Sequence, residues 1–223
     1  MKNNLFLQAL KKIIAGFVAI GVLLFLPAGT FHYWNAWLLV AVLFVPMIFL
    51  GILMLFKSPK LLEKRLDAKE KIAEQKWVVA LSGIMFIAAF VVAGLNFRFS
   101  WHSLPDYVIW IGTSVFLLSY LIYAEVMREN AFLSRTIEIQ ENQKVIDTGL
   151  YGVVRHPMYS ATLIMFLSIP LILGSIISFA IMLAYIPIIA VRINNEEKVL
   201  EEGLKGYKEY KQKVRYKVIP FIW

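Results

Sequence analysis

The chain has 223 residues, 60% of them apolar, a net charge of +8 and a mean hydropathy of +0.69. That is more apolar surface than a soluble core of this size can bury, so the composition excludes an ordinary soluble domain and predicts a one-domain integral membrane protein. The absence of cysteine excludes disulfides and thiolate metal centres, the dispersed His32, His102 and His156 predict no metal site, and the positive charge fits loops facing anionic lipid rather than nucleic acid.

Apolar runs lie at 13–28, 34–56, 77–96, 107–127, 158–173 and 176–191. The fold class expected is therefore all-α, with about six hydrophobic helices. The second, third and fourth runs have the roughly 20 residues that a spanning helix needs. The first is shorter, and Pro27-Ala28-Gly29 loosely resembles a cleavage site. A signal peptide is the alternative reading there, set against a first span because the next run follows at once. Residues 57–76 alternate in charge (Glu63, Lys64, Arg65, Asp67, Lys69, Glu70, Lys71, Glu74), which predicts an exposed helix near the headgroups. With the N-terminus cytoplasmic, all but Arg98 of the 23 lysines and arginines fall inside, so both termini are expected in the cytoplasm. Trp34, Trp37, Trp101, Tyr107 and Trp110 then form an outer aromatic belt.

Residues 134–154 read as an extended connector. Thr136 to Ile139 alternates, and Glu141-Asn142-Gln143 and Asp147-Thr148-Gly149 are turn signals. The last two runs hold about 15 residues each, roughly 23 Å of helix against a hydrocarbon core of roughly 30 Å. With Gly174-Ser175 between them, 158–191 is expected to form a short helical hairpin. It crosses the bilayer barely, or with local thinning, and both ends return to the cytoplasmic side. Residues 192–216 predict an amphipathic cytoplasmic helix with Val199, Leu200, Leu204, Tyr207 and Tyr210 on its apolar face, weakened at Gly203 and Gly206. The apolar tail Val218–Trp223 is expected to tuck back into protein or interface. The chain divides into spans 1–130 and a C-terminal region 131–223.

Hairpin geometry brings Arg155-His156-Pro157-Met158-Tyr159 beside Arg192-Ile193-Asn194-Asn195-Glu196-Glu197 at one membrane edge. Charge against hydrocarbon is costly and marks a working site. Each residue also has an ordinary reading. Pro157 suits the first position of a helix. Arg155 could anchor to lipid phosphate. Arg192 and Glu196, spaced i, i+4, could be a simple ion pair. Their convergence is what singles them out.

The stretch Gly149-Leu150-Tyr151-Gly152-Val153-Val154-Arg155-His156-Pro157-Met158-Tyr159 resembles the R-H-P-x-Y signature of isoprenylcysteine carboxyl methyltransferases and their phospholipid-methylating relatives. Arg192 to Glu197 with Leu200, Tyr207-x-x-Tyr210-Lys211 and Ile219-Pro220-Phe221-Ile222 resembles that family's C-terminal motif. The resemblance covers about 145–223, and Ala161 departs from it, since family members often carry glycine two residues after the tyrosine. It implies a membrane-embedded methyltransferase that uses S-adenosylmethionine at the cytoplasmic face. Tyr151, Arg155, His156, Pro157 and Tyr159 would line the cofactor pocket. Glu196 and Glu197 would contact the cofactor or order its pocket, and Arg192 and Glu196 would act at the reacting centre. The acceptor would be lipid-like and enter from the bilayer, the prenylated carboxylate being the nearer match and a phospholipid amine the alternative. A nicotinamide-dependent reductase of the steroid-reductase type shares the topology and competes with this reading. A non-catalytic transport accessory would place polar residues at mid-membrane, yet the nearest candidate, Glu125, lies close to a helix end.

Overall fold

The computed structural model describes residues 2–67, 73–134 and 136–223. It is all-helical, with no strand among the described residues. The helices are α1 (Lys2–Ala28), α2 (Trp34–Lys57), α3 (Pro59–Leu66), α4 (Ala73–Phe99), α5 (Asp106–Glu129), α6 (Pro157–Ile172), α7 (Ile176–Met182), α8 (Tyr185–Gly203) and α9 (Tyr207–Lys213), with a 3₁₀ turn at Gly149–Gly152. Of the predicted link helix, the described part is α3 and the start of α4; residues 68–72, with Lys69, Glu70 and Lys71, lie outside the described residues.

Four helices, α1, α2, α4 and α5, are long and apolar enough to cross a membrane. So is the stretch Ile176–Gly203, and α6 is a shorter apolar helix. Large apolar side chains such as Val45, Phe49, Ile84, Leu118 and Leu121 face outward. An aqueous surface would not tolerate that pattern, whereas lipid makes it neutral. This is the architecture of an all-α integral membrane protein. Far from standing apart, α1 packs on α4 and α2. Its Leu24, Phe25 and Ala28 join Ala36, Leu39, Phe90, Ala93, Phe116, Met165 and Ile169 in the main core. At the α1–α4 crossing a Cβ on Gly94 would lie 2.6 Å from the Leu24 carbonyl oxygen, so only glycine permits this approach.

The hairpin spans the bundle from end to end. Its turn meets the loops that join α1 to α2 and α4 to α5: Ser103 bridges Ser175, and the Leu104 amide donates to the Gly174 carbonyl at 3.1 Å. Local chemistry closes the turn. Gly174 has φ +71, the Ser175 amide reaches the Pro170 carbonyl at 3.0 Å, and the Gly174 amide reaches Leu171 at 3.1 Å. That is a Schellman stop, which favours glycine at the left-handed position. Asn35 and Tyr33 take the next two carbonyls, of Ile172 and Leu173. All four terminal acceptors of α6 are thereby satisfied inside an apolar environment that supplies no water.

Two boundaries differ from the sequence reading. The run 176–191 is not one short helix, because the chain breaks at Leu183-Ala184 and α8 then continues without interruption to Gly203. The helix expected over 192–216 divides at Gly203–Gly206, where Gly206 adopts φ +88, leaving α9 as a separate short helix. Among its described residues the connector has no helix before the 3₁₀ turn, and Gln140–Gln143 forms the turn expected there.

Candidate functional site

The site lies at the end of the bundle that holds α3, the connector and the tail. Here α6 begins, with Pro157 at its first position. Met158 packs beside Val126 and Met127 of α5. The tail runs alongside: the Arg155 amide donates to the Tyr216 carbonyl at 2.9 Å and the His156 amide to Lys217 at 2.8 Å. Ser160 Oγ then donates to the Val218 carbonyl at 2.6 Å, and Val218 is buried against Tyr159, Leu163 and Ile189. Tail, α6 and α8 are thus joined at their charged ends.

Glu197 is the hub of that junction. Its carboxylate is buried and accepts from Arg155 Nε at 2.7 Å and from His156 Nε2 at 3.2 Å. Lys217 and Lys211 approach its other oxygen at 3.4 and 3.7 Å. Arg155 also donates from Nη1 to the carbonyls of Val214 and Arg215, both at 2.7 Å. A buried charge held by this many partners is fixed in place. Glu197 is absent from the cavity wall, as is Pro157, whose neighbours His156 and Met158 are on it.

Glu196, one residue earlier, turns the other way and lines the cavity. It accepts from the Tyr159 hydroxyl, and its Oε1 stands 4.0 Å from His156 Nδ1. The same hydroxyl accepts from Arg192 Nε at 3.0 Å. Arg192 and Glu196 are therefore linked through Tyr159. Behind them Arg192 Nη1 donates to Gln75 Oε1 at 3.3 Å, where α4 meets α8.

The cavity holds about 820 Å³ of open space, mouth included. Of the expected residues, Tyr151, Arg155, His156, Tyr159, Arg192 and Glu196 line it. Sequence reasoning missed the opposite wall. The end of α5 supplies Asn130, the connector supplies Ser134, Thr136, Glu138 and Val145, and the foot of α8 with α9 supplies Leu200, Leu204, Tyr207 and Tyr210. The apolar face of 192–216 was the available signal, and it rests on this cavity. Gln75, fully buried, left no signal in a charged link.

Tyr207, Tyr210 and Tyr151 all have phenols raised above their ordinary value. Burial is the largest cause in each, and nearby carboxylates add to it, Glu197 and Glu196 at Tyr207. The three stay protonated and are not bases; Tyr210 and Tyr151 serve as hydrogen-bond groups, while the buried Tyr207 hydroxyl has no partner among the described residues. Tyr210 donates to the Tyr151 carbonyl at 2.7 Å, and Asn130 donates to the Tyr151 hydroxyl at 2.9 Å. These bonds tie α9 and the end of α5 to the loop that precedes Arg155.

The arrangement offers a carboxylate, a guanidinium and several phenol rings around one chamber. It suits a flat, polar ligand with a cationic centre, because carboxylates and aromatic faces both stabilise a cation at close range.

Comparison with known proteins follows the same part of the chain. The sequence model of the phospholipid methyltransferase family matches residues 107–206, from α5 to the turn before α9. The Delta(14)-sterol reductase TM7SF2 of Mus musculus is 29% identical over 91 residues. That alignment takes in 40% of this chain and only 22% of the reductase, so the chain spans about a fifth of its length. The segment carrying Arg155 to Tyr159, Arg192 to Glu197 and most of the cavity wall is thus similar to the phospholipid methyltransferase family.

Proposed function

We propose that this chain is a membrane-embedded methyltransferase that uses S-adenosylmethionine and modifies a lipid-like acceptor. The observation that carries the reading is the meeting of Arg155-His156-Tyr159 with Arg192-Glu196 on one cavity, within the stretch matched by the phospholipid methyltransferase model. The chamber's chemistry suits the cofactor: Glu196 with Tyr159, Tyr207 and Tyr210 suits a sulfonium. Tyr151, Arg155, His156, Tyr159 and Glu196 would hold the cofactor directly. Pro157 would act by setting the start of α6, and Glu197 by locking Arg155 and His156 in place. When bound, S-adenosylmethionine supplies an electrophilic methyl group.

The chain's own residues would do the rest. Methyl transfer asks for alignment more than for proton movement. Arg192, held by Tyr159 and Gln75, can orient an acceptor carboxylate by two parallel bonds. A prenylated carboxylate needs no base. For a phospholipid amine, Glu196 can take the proton or stabilise the cationic product. Residues 131–223 would form the methyltransferase-like region, and the charge bias supports a cavity at the cytoplasmic face. The acceptor would enter from the bilayer.

The test is transfer of labelled methyl from S-adenosylmethionine to extracted membrane lipids by the purified protein. Label in a lipid fraction, lost in Glu196→Ala and Arg192→Ala, is the expected result; full transfer in both variants overturns the assignment. A second reading has one observation behind it, the similarity to the sterol reductase. It predicts NADPH binding at the same cavity and no methyl transfer.

A further inference from the structure

Arg65 has no role in the site described above, and its surroundings are unusual. It lies in the last turn of α3, a helix anchored by the buried Leu61 and Leu62. Leu61 packs with Val126, Met127, Leu133 and Tyr151 at the charged end of the bundle. The Arg65 side chain is half-buried there. Its Nη1 donates to the Ser134 carbonyl at 3.3 Å and to Met158 Sδ at 3.5 Å, and its Nη2 donates to the Tyr123 hydroxyl. The guanidinium carbon lies 5.4 Å from the centre of the Tyr123 ring.

None of these partners carries a charge. Among the described residues no carboxylate pairs with Arg65. Its neighbour Lys64 does have one, Glu138 at 3.0 Å, as Arg155 has Glu197. A thioether is a weak acceptor, and the contacts leave Nε and one Nη2 hydrogen without an acceptor among the described residues. A half-buried guanidinium without a counter-ion is less well stabilised than a paired one, and an anion would complete the site.

The position says which anion. Ser134 and Met158, two of its partners, line the cavity, while Tyr123 belongs to the spanning helix α5. Arg65 therefore stands at the seam between bundle and cavity. Met158 and Tyr159 are consecutive on α6, so Arg65 and Arg192 flank the same helix turn. Resting on the methyltransferase reading, we propose that Arg65 anchors a fixed oxyanion of the acceptor, a phosphodiester or a carboxylate on an amphiphile. Its apolar part stays beside α5 while its reacting group enters the cavity. Arg65 is a specificity-determining residue that excludes uncharged amphiphiles.

The experiment is calorimetry on the detergent-purified full chain, with and without S-adenosylhomocysteine. Three probes are titrated: dihexanoylphosphatidylethanolamine, an S-farnesylated thiol acid and uncharged farnesol. At least one of the two oxyanion-bearing probes, the zwitterionic phospholipid or the thiol acid, binds more tightly than farnesol. Arg65→Gln weakens that probe about tenfold or more, as expected for lost bonds to a charged group. Arg65→Lys, which keeps the charge without the fork, falls between. Lys64→Gln stays within about twofold of wild type, because that lysine has its own partner. The probe that weakens identifies phosphodiester or carboxylate. Unchanged S-adenosylhomocysteine affinity in Arg65→Gln shows that the variant is folded. Two results overturn the proposal: oxyanion-bearing probes that bind Arg65→Gln as tightly as wild type, or a wild type that prefers farnesol. Failure of wild type to bind S-adenosylhomocysteine falls on the methyltransferase reading instead, since the probes are also titrated without it.

Discussion

Replacing Glu197 with alanine tests how the site is held. The carboxylate and the Arg155 guanidinium each have a side-chain exposure of 4%, and they meet at 2.7 Å. Removal of one partner leaves Arg155 buried with only the carbonyls of Val214 and Arg215, and His156 loses its acceptor. Breaking a buried pair in this way costs about 3–5 kcal/mol. For a chain of this length each kcal/mol moves the midpoint by about 2–4 °C, so Glu197→Ala should lower Tm by about 6–20 °C. Circular dichroism at 222 nm during heating in detergent reads it. A double variant, Arg155→Met with Glu197→Leu, should recover most of the loss, because replacing both members of a buried pair is often nearly neutral. A Glu197→Ala protein that melts within about 3 °C of wild type but no longer binds S-adenosylhomocysteine would refute the reasoning. It would make Glu197 a direct ligand contact.

Tyr159→Phe removes the hydroxyl that joins Arg192 to Glu196, and should cut methyl transfer about 10-fold or more, as lost charge-assisted bonds do; unchanged kcat/KM would count against the linkage. Gly149→Ala should destabilise by more than about 1 kcal/mol, since Gly149 has φ +54 and its Cβ would fall 1.4 Å from a Glu129 carboxylate oxygen; an unshifted melting curve would contradict this. Alkaline stability follows from the raised phenols of Tyr151, Tyr207 and Tyr210. Below the unfolded value of about 10.0 the three contribute fully. As pH rises past it the unfolded chain ionises while the folded one does not, so stability falls. The triple Phe variant should lose less between pH 9.5 and about 11.5, and equal slopes would be the contrary finding.

The convergence of 155–159 with 192–197 was readable because a hairpin must return its ends to one side, whatever its depth. The depth itself was hidden. It depends on Ser103 and Leu104 meeting Gly174 and Ser175, a contact across about 70 residues that no local pattern encodes. The two adjacent glutamates looked alike in sequence. Consecutive helical residues point about 100° apart, and which of them faced the cavity was decided by the tail at 214–217. The break at Leu183-Ala184 follows from Pro187, which has no amide to bond the Leu183 carbonyl four residues back; that signal lay inside a continuous apolar run, whereas Gly203 and Gly206 marked the end of α8 openly. The connector's turn was legible from Glu141-Asn142-Gln143. Its service as a cavity wall was not, because Lys64 and Arg65 hold it from a helix some 70 residues away.

The central claim is that this cavity binds S-adenosylmethionine. Calorimetry of S-adenosylhomocysteine on detergent-purified protein, beside a His156→Ala/Glu196→Ala double variant and an NADPH titration, tests it most directly. The account predicts binding by wild type, loss in the variant and no heat with NADPH. NADPH binding by a folded wild type that ignores S-adenosylhomocysteine would contradict it and favour the reductase reading.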